Sequence, residues 1–144
     1  CTKEEIVNAY DNALLYTDHV LASTIAKLKA RADYVDTALI YVSDHGESLG
    51  EHGLFLHGMP YAIAPDVQKQ VPMLAWFSPG LAAAAGLRSG CLPGALQQQA
   101  AQPLAHDHLF HTVLGLLDLR TALYAPAFDI VAACRPGAAP AQAR

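Results

Sequence analysis

The chain has 144 residues and a mass of 15.3 kDa, enough for one domain with a core of its own. Hydrophobic residues make up 53% of it and charged residues 15%, which excludes wholesale disorder. A net charge of −4 and a pI near 5.9 give no general electrostatic reason to bind nucleic acid, and no run of ~20 apolar residues reads as a membrane span.

The first thirty residues predict one amphipathic helix. Thr2 and Glu5 have capping-box spacing. Ile6, Tyr10, Leu14, Thr17, Leu21, Ile25 and Leu28 recur every three or four residues, as a buried face requires. Asp18-His19 falls mid-helix and reads as solvated, and Thr17 reads as packing because no activating base stands near it. A polar connection over 32–36 leads to a β-rich strand from Thr37 to Val42. Prolines at 60 and 65 predict irregular backbone, Asp66 to Gln70 one polar turn, and Val71 to Phe77 a second strand. Pro72 places that strand's start at an edge or first-residue position.

Residues 79–103 lose periodicity and read as a surface excursion with one short helix. Helix signals return at His106, with Asp107 as N-cap and Val113, Leu114 and Leu117 lining one face. His108 and His111 could share a helical face. Past Leu119 the chain is turn-rich, and from Ala133 it reads as a flexible Ala/Pro/Gly end, with the domain taken as 1–135 and a tail as 136–144. Helix, short loop, strand and loop in this rhythm predict an α/β fold with helices packed on a largely parallel sheet.

The chemistry concentrates in SDHGESLGEHGLFLHG, from Ser43 to Gly58, at the end of the first strand. Asp44 and His45 stand side by side, and a second His-Gly pair, His57-Gly58, follows twelve residues after the first. Zn²⁺ takes imidazole nitrogen and carboxylate oxygen readily, and catalytic sites leave one position for substrate. Strand ends of open α/β sheets are where such ligands collect. Neighbouring strand residues point to opposite faces, so the chain must turn for Asp44 and His45 to reach one ion. Gly46 supplies that turn through a positive φ or a close backbone approach. Glu47, Glu51 and His52 are further potential ligands in the loop. Helix capping by Ser43 or Asp44 is the plainer alternative, but capping needs neither histidine nor a second His-Gly pair.

Four stretches resemble the phosphoethanolamine transferases that modify lipid A, including the mobile colistin-resistance enzymes, within the alkaline phosphatase and sulfatase superfamily. They are NAYDNALLYTDHVL (8–21), YVSDHGESLGEHGLFLHGMPYAIAP (41–65), QVPMLAWFS (70–78) and HDHLFHTVLGLLDLRTALY (106–124). The resemblance implies a sulfatase-like α/β domain, here its C-terminal part. It also implies a zinc enzyme of the bacterial inner membrane whose catalytic domain faces the periplasm. Such an enzyme moves phosphoethanolamine from phosphatidylethanolamine to lipid A and confers polymyxin resistance. Asp44 and His45 match ligands of the tightly held zinc. His57 matches a histidine on the substrate phosphate or a second zinc. His52 and the histidines at 106, 108 and 111 are not carried over as ligands. The threonine nucleophile, a glutamate ligand, another substrate-side histidine and the membrane anchor are expected before Cys1, and a start without Met agrees with truncation or processing. Another sulfatase-superfamily hydrolase, a phosphoglycerol transferase, or a metal-binding fragment inactive in isolation are the alternatives.

Three cysteines leave one without a partner inside the chain if the other two pair. Cys91 and Cys134 bracket the last helix, and a bridge there would pin the excursion to the C-terminal segment. Cys1 would then pair upstream, as in similar proteins. Three reduced thiols in a cytosolic protein are the alternative.

Overall fold

A computed structural model describes residues 1–137, which form two compact units: Cys1–Asp33 with Leu39–Trp76, and Tyr34–Ala38 with the chain from Phe77 on. In the first unit, α1 spans Lys3–Lys29 and starts with the capping box the sequence predicts. Thr2 Oγ1 accepts from Glu5 N at 3.2 Å, and Thr2 N donates to Glu5 Oε2 at 2.7 Å. Glu4 and Glu5 sit at its positive end and Lys27 and Lys29 at its negative end, complementing the macrodipole. Thr17 Oγ1 turns back to donate to Ala13 O at 3.0 Å. No α1 residue is fully buried. Most of the predicted stripe is half-buried, Leu14 is exposed, and Leu15, Tyr16 and Val20 add exposed apolar surface.

Strand β1, Ala38–Val42, carries the chain into the loop from Ser43 and pairs with β4, Met73–Phe77. Between them lie a small hairpin, β2 (Ser48–Leu49) with β3 (Phe55–Leu56), and one helical turn, α2 (Asp66–Lys69). The hairpin is antiparallel. Ser43 N donates to Pro72 O and Ser78 N to Thr37 O, so partner numbers fall along β4 as they rise along β1, and this pair is antiparallel too. The α/β class stands, while the strand pairs among the described residues are antiparallel. The β1-to-β4 connection contains only a hairpin and one helical turn, not the long crossover helix typical of a parallel pair.

The second unit holds α3 (Leu81–Ala84), α4 (Cys91–Ala100) and α5 (Asp107–Leu116). The excursion expected to contain one short helix therefore contains two, and α4 buries Leu92 and Ala95. His106, not Asp107, is the N-cap of α5, and Asp107 is its first helical residue. Its buried face is Thr112 and Gly115, whereas Val113 and Leu117 are exposed. The cause lies downstream. Thr112 Oγ1 accepts from Ile130 N at 3.1 Å, and the Asp129 carboxylate fills the space a Cβ at Gly115 would need.

The C-terminal segment read as turns and a loose end is instead the core of this unit, with Ile130, Val131 and Cys134 all buried. Cys134 forms a disulfide with Cys91, with Cα atoms 5.6 Å apart, and Cys1 is free and exposed. Buried Asp129 accepts from Tyr124 Oη at 2.6 Å and from Val131 N at 2.9 Å. Arg135 lies 4.0 Å from Asp129 and donates to Gly115 O. Burial, then the bond to Asp129, pushes the Tyr124 hydroxyl above its ordinary 10.0. The expected tail, 136–144, lies outside the described residues from 138 on.

Candidate metal centre

β1 delivers Ser43 to His45 at its carboxyl end, and the following loop folds back against α2. Gly46 N donates to Gln68 O at 3.1 Å, and a Cβ at Gly46 would overlap the Val67 carbonyl oxygen. Gly46 does not adopt a positive φ. It is glycine because α2 comes so close, so of the two uses the sequence offered, only the close approach is realised. Left-handed backbone appears later in the loop, at Gly50, His52, Gly53, Leu56 and Gly58.

The side chains converge after this turn. His45 Nδ1 donates to Gly46 O at 3.0 Å, leaving Nε2 with the lone pair that a metal needs. His57 Nδ1 lies 2.7 Å from Glu47 Oε1, so the carboxylate orients that ring. The two imidazoles face each other with centroids 3.7 Å apart. His45, Glu47 and His57 each offer one ligand atom, all within 4.8 Å of one another. Asp44 lies at the solvent edge, its Oδ2 3.7 Å from His45 Nε2 and its Oδ1 accepting from His45 N at 3.1 Å.

The donor set fits a divalent cation. Glu47 Oε2 is buried and accepts no hydrogen bond. A carboxylate oxygen in that state is costly, and a bound cation would relieve it. Next to the group lies a cavity of about 280 Å³ whose walls include His57, Met59, Tyr61 and Lys69. Lys69 Nζ pairs with Asp66 at 3.2 Å and stands 5.2 Å from the Tyr61 ring centre.

The other candidates have structural work. Glu51 Oε2 accepts from Leu49 N at 2.7 Å, and its own and Leu49's backbone amides hold its carboxyl below the ordinary 4.5. His52 is exposed. In the second unit, His111 Nδ1 accepts from Ala125 N at 3.1 Å, and the rings of His108 and His111 pack against Phe128. Sequence reasoning named Glu47 only as one ligand among several. Its alliance with His57 spans ten residues and leaves no local pattern.

A strand-end loop carrying imidazoles and carboxylates on an α/β scaffold defines the class, and the chain belongs to the sulfatase family, whose profile matches residues 1–119. Within that family its likeness is narrower. Phosphoethanolamine transferase EptA of Escherichia coli K12 is 49% identical over 135 residues, 94% of this chain and 24% of that protein. Phosphatidylethanolamine transferase Mcr-1 of Escherichia coli is 41% identical over 119 residues, 83% of this chain and 20% of that protein. The crystal structure of the soluble domain of lipooligosaccharide phosphoethanolamine transferase A from Neisseria meningitidis superimposes with a TM-score of 0.85 at 44% identity. That match covers 94% of this chain and 40% of the other. The chain spans about a quarter of the length of these curated relatives. No helix among the described residues is long and apolar enough to cross a membrane.

Proposed function

We propose that the protein carrying this chain transfers phosphoethanolamine from phosphatidylethanolamine to lipid A. In this reading its catalytic domain faces the periplasm, and segments outside residues 1–144 hold it at the inner membrane. The observation that carries the reading is the convergence of His45, Glu47 and His57, with ligand atoms within 4.8 Å of one another, in a chain 49% identical to a phosphoethanolamine transferase.

In this reading the ion is zinc. Asp44 and His45 hold it, with Glu47 and His57 on the substrate side. When bound, zinc supplies positive charge that stabilises phosphate oxygens and lowers the pKa of an attacking hydroxyl. The chain's own residues do the positioning. The His45 Nδ1 bond to Gly46 O fixes the ring that offers Nε2. Glu47 holds His57 at 2.7 Å, so His57 Nε2 is free to bind a phosphate oxygen or pass a proton to a leaving group. Lys69 lines the adjoining cavity as a compact cation that suits a phosphodiester. The attacking hydroxyl, a threonine in this reading, lies outside residues 1–144. An ammonium group added to lipid A offsets phosphate charge and weakens attraction for cationic polymyxins.

The test uses the full-length protein. Asp44→Ala and His45→Ala are expected to lose zinc, lose transfer of labelled phosphoethanolamine by at least about a hundredfold, and abolish polymyxin protection. His57→Ala is expected to impair transfer while retaining the tight zinc. Unchanged zinc content in both Asp44→Ala and His45→Ala removes the assignment. Release of the label to water without transfer to lipid A favours the hydrolase reading.

A further inference from the structure

The loop that carries the metal group is braced by a buried polar bond that the proposed chemistry does not use. Ser48 is 1% exposed and Gln68 is 7% exposed. Gln68 Nε2 donates to Ser48 Oγ at 2.8 Å across twenty residues of sequence. Gln68 also grips the loop with its main chain, because its carbonyl accepts from Gly46 N at 3.1 Å. The residue gripped on both sides is Glu47.

We infer that Gln68 and Ser48 are positioning residues that fix the loop backbone from Gly46 to Ser48, and with it both the His45 ring held on Gly46 O and the Glu47–His57 pair, in the geometry that receives metal and substrate. The inference rests on the proposed function for the ion's presence, while the brace itself concerns loop geometry. Three points favour positioning over mere filling. A leucine at 68 would occupy nearly the same volume without desolvating an amide, so the bond is not the simplest way to fill this space. An apolar contact sets no register, whereas a directional bond to Ser48 does. The α2 turn has four residues and little stability of its own, so its place depends on the contacts it makes. Ser48 also begins β2, paired with Leu56, which immediately precedes His57. One bond therefore bears on both arms of the hairpin that present Glu47 and His57.

The experiment compares full-length wild type with Gln68→Leu, Ser48→Ala and the double variant. Zinc affinity is read by chelator competition, melting temperature by calorimetry, and hydrogen exchange over 44–57 on metal-free protein. Each single variant is expected to weaken zinc binding about 10- to 100-fold and to raise exchange over 44–57. The double variant is expected to be no worse than the worse single, because both residues act through one bond. A lower melting temperature with zinc affinity and exchange over 44–57 unchanged overturns the inference, since that is what a purely structural pair would give. Ser48→Ala removes a single oxygen atom and serves if Gln68→Leu fails to fold. If wild type binds no zinc, the metal reading fails, and exchange decides the brace alone. Raised exchange in the variants supports it and unchanged exchange overturns it.

Discussion

The two units are held together by different physics. The second has an apolar core of Leu92, Ala95, Ile130 and Val131, a disulfide, and a buried Asp129 that is satisfied by Tyr124 and backbone. The first has Ala64 as its buried hydrophobic residue, while Ser48 and Gln68 are buried polar ones and α1 buries none. Its loop is shaped by a glycine pressed on a carbonyl and by one amide-to-hydroxyl bond. Apolar burial gives stability without direction, whereas a few directional contacts give direction with little stability. The candidate metal group of His45, Glu47 and His57 sits in the unit built for direction. That unit also leaves a carboxylate oxygen of Glu47 buried without a partner, a cost that a bound cation would offset.

The largest expected effect breaks the second unit and spares the first. The disulfide closes 43 residues, and its loss through Cys91→Ser with Cys134→Ser is expected to cost about 4 kcal/mol. Hydrogen exchange should rise over α4 and the 129–135 segment while zinc content holds. Equal loosening of both units would mean that they share one stability. Gly46→Ala does the reverse. Its Cβ meets the Val67 carbonyl, backbone that cannot move aside like a side-chain tip. A cost of about 1–3 kcal/mol is expected, read as raised exchange over 44–57 and weaker zinc binding, with 129–135 still protected.

The smallest effect separates the units by pH. The Tyr124 pKa is raised, so its contribution is fully present below pH 10.0 and is lost as pH rises through the higher folded value. The Glu51 pKa is lowered, so its contribution is present above pH 4.5 and is lost as pH falls through the lower folded value. Alkali should therefore loosen the 124–135 segment first, and acid the hairpin at Ser48 to Leu56, the latter weakly because Glu51 is exposed to screening solvent. Exchange measured well below pH 4.5 and well above pH 10.0 on the same protein, each against neutral pH, checks both directions. Loosening of the hairpin in alkali ahead of the 124–135 segment would contradict the division.

What could be read without coordinates was local. The Thr2–Glu5 capping box, the length of α1, the strands before Ser43 and after Pro72, and the strand-end loop with Asp44, His45 and His57 all follow from patterns a few residues wide. Capping, β-branched enrichment and proline placement act between neighbours, so they are legible in one dimension. Only the tertiary structure decided the rest. It joined Glu47 to His57, set Gln68 on Ser48, turned Thr112 and Gly115 of α5 inward toward the segment at 129–130, and made the residues around Cys134 a core rather than a tail. The longer of these contacts join residues ten to forty-three apart, and a partner at that distance imposes no period on the sequence. Where the partner is a carbonyl or a carboxylate, it calls only for a small residue, and a glycine such as Gly46 or Gly115 reads the same whether it frees a turn or makes room for a neighbour.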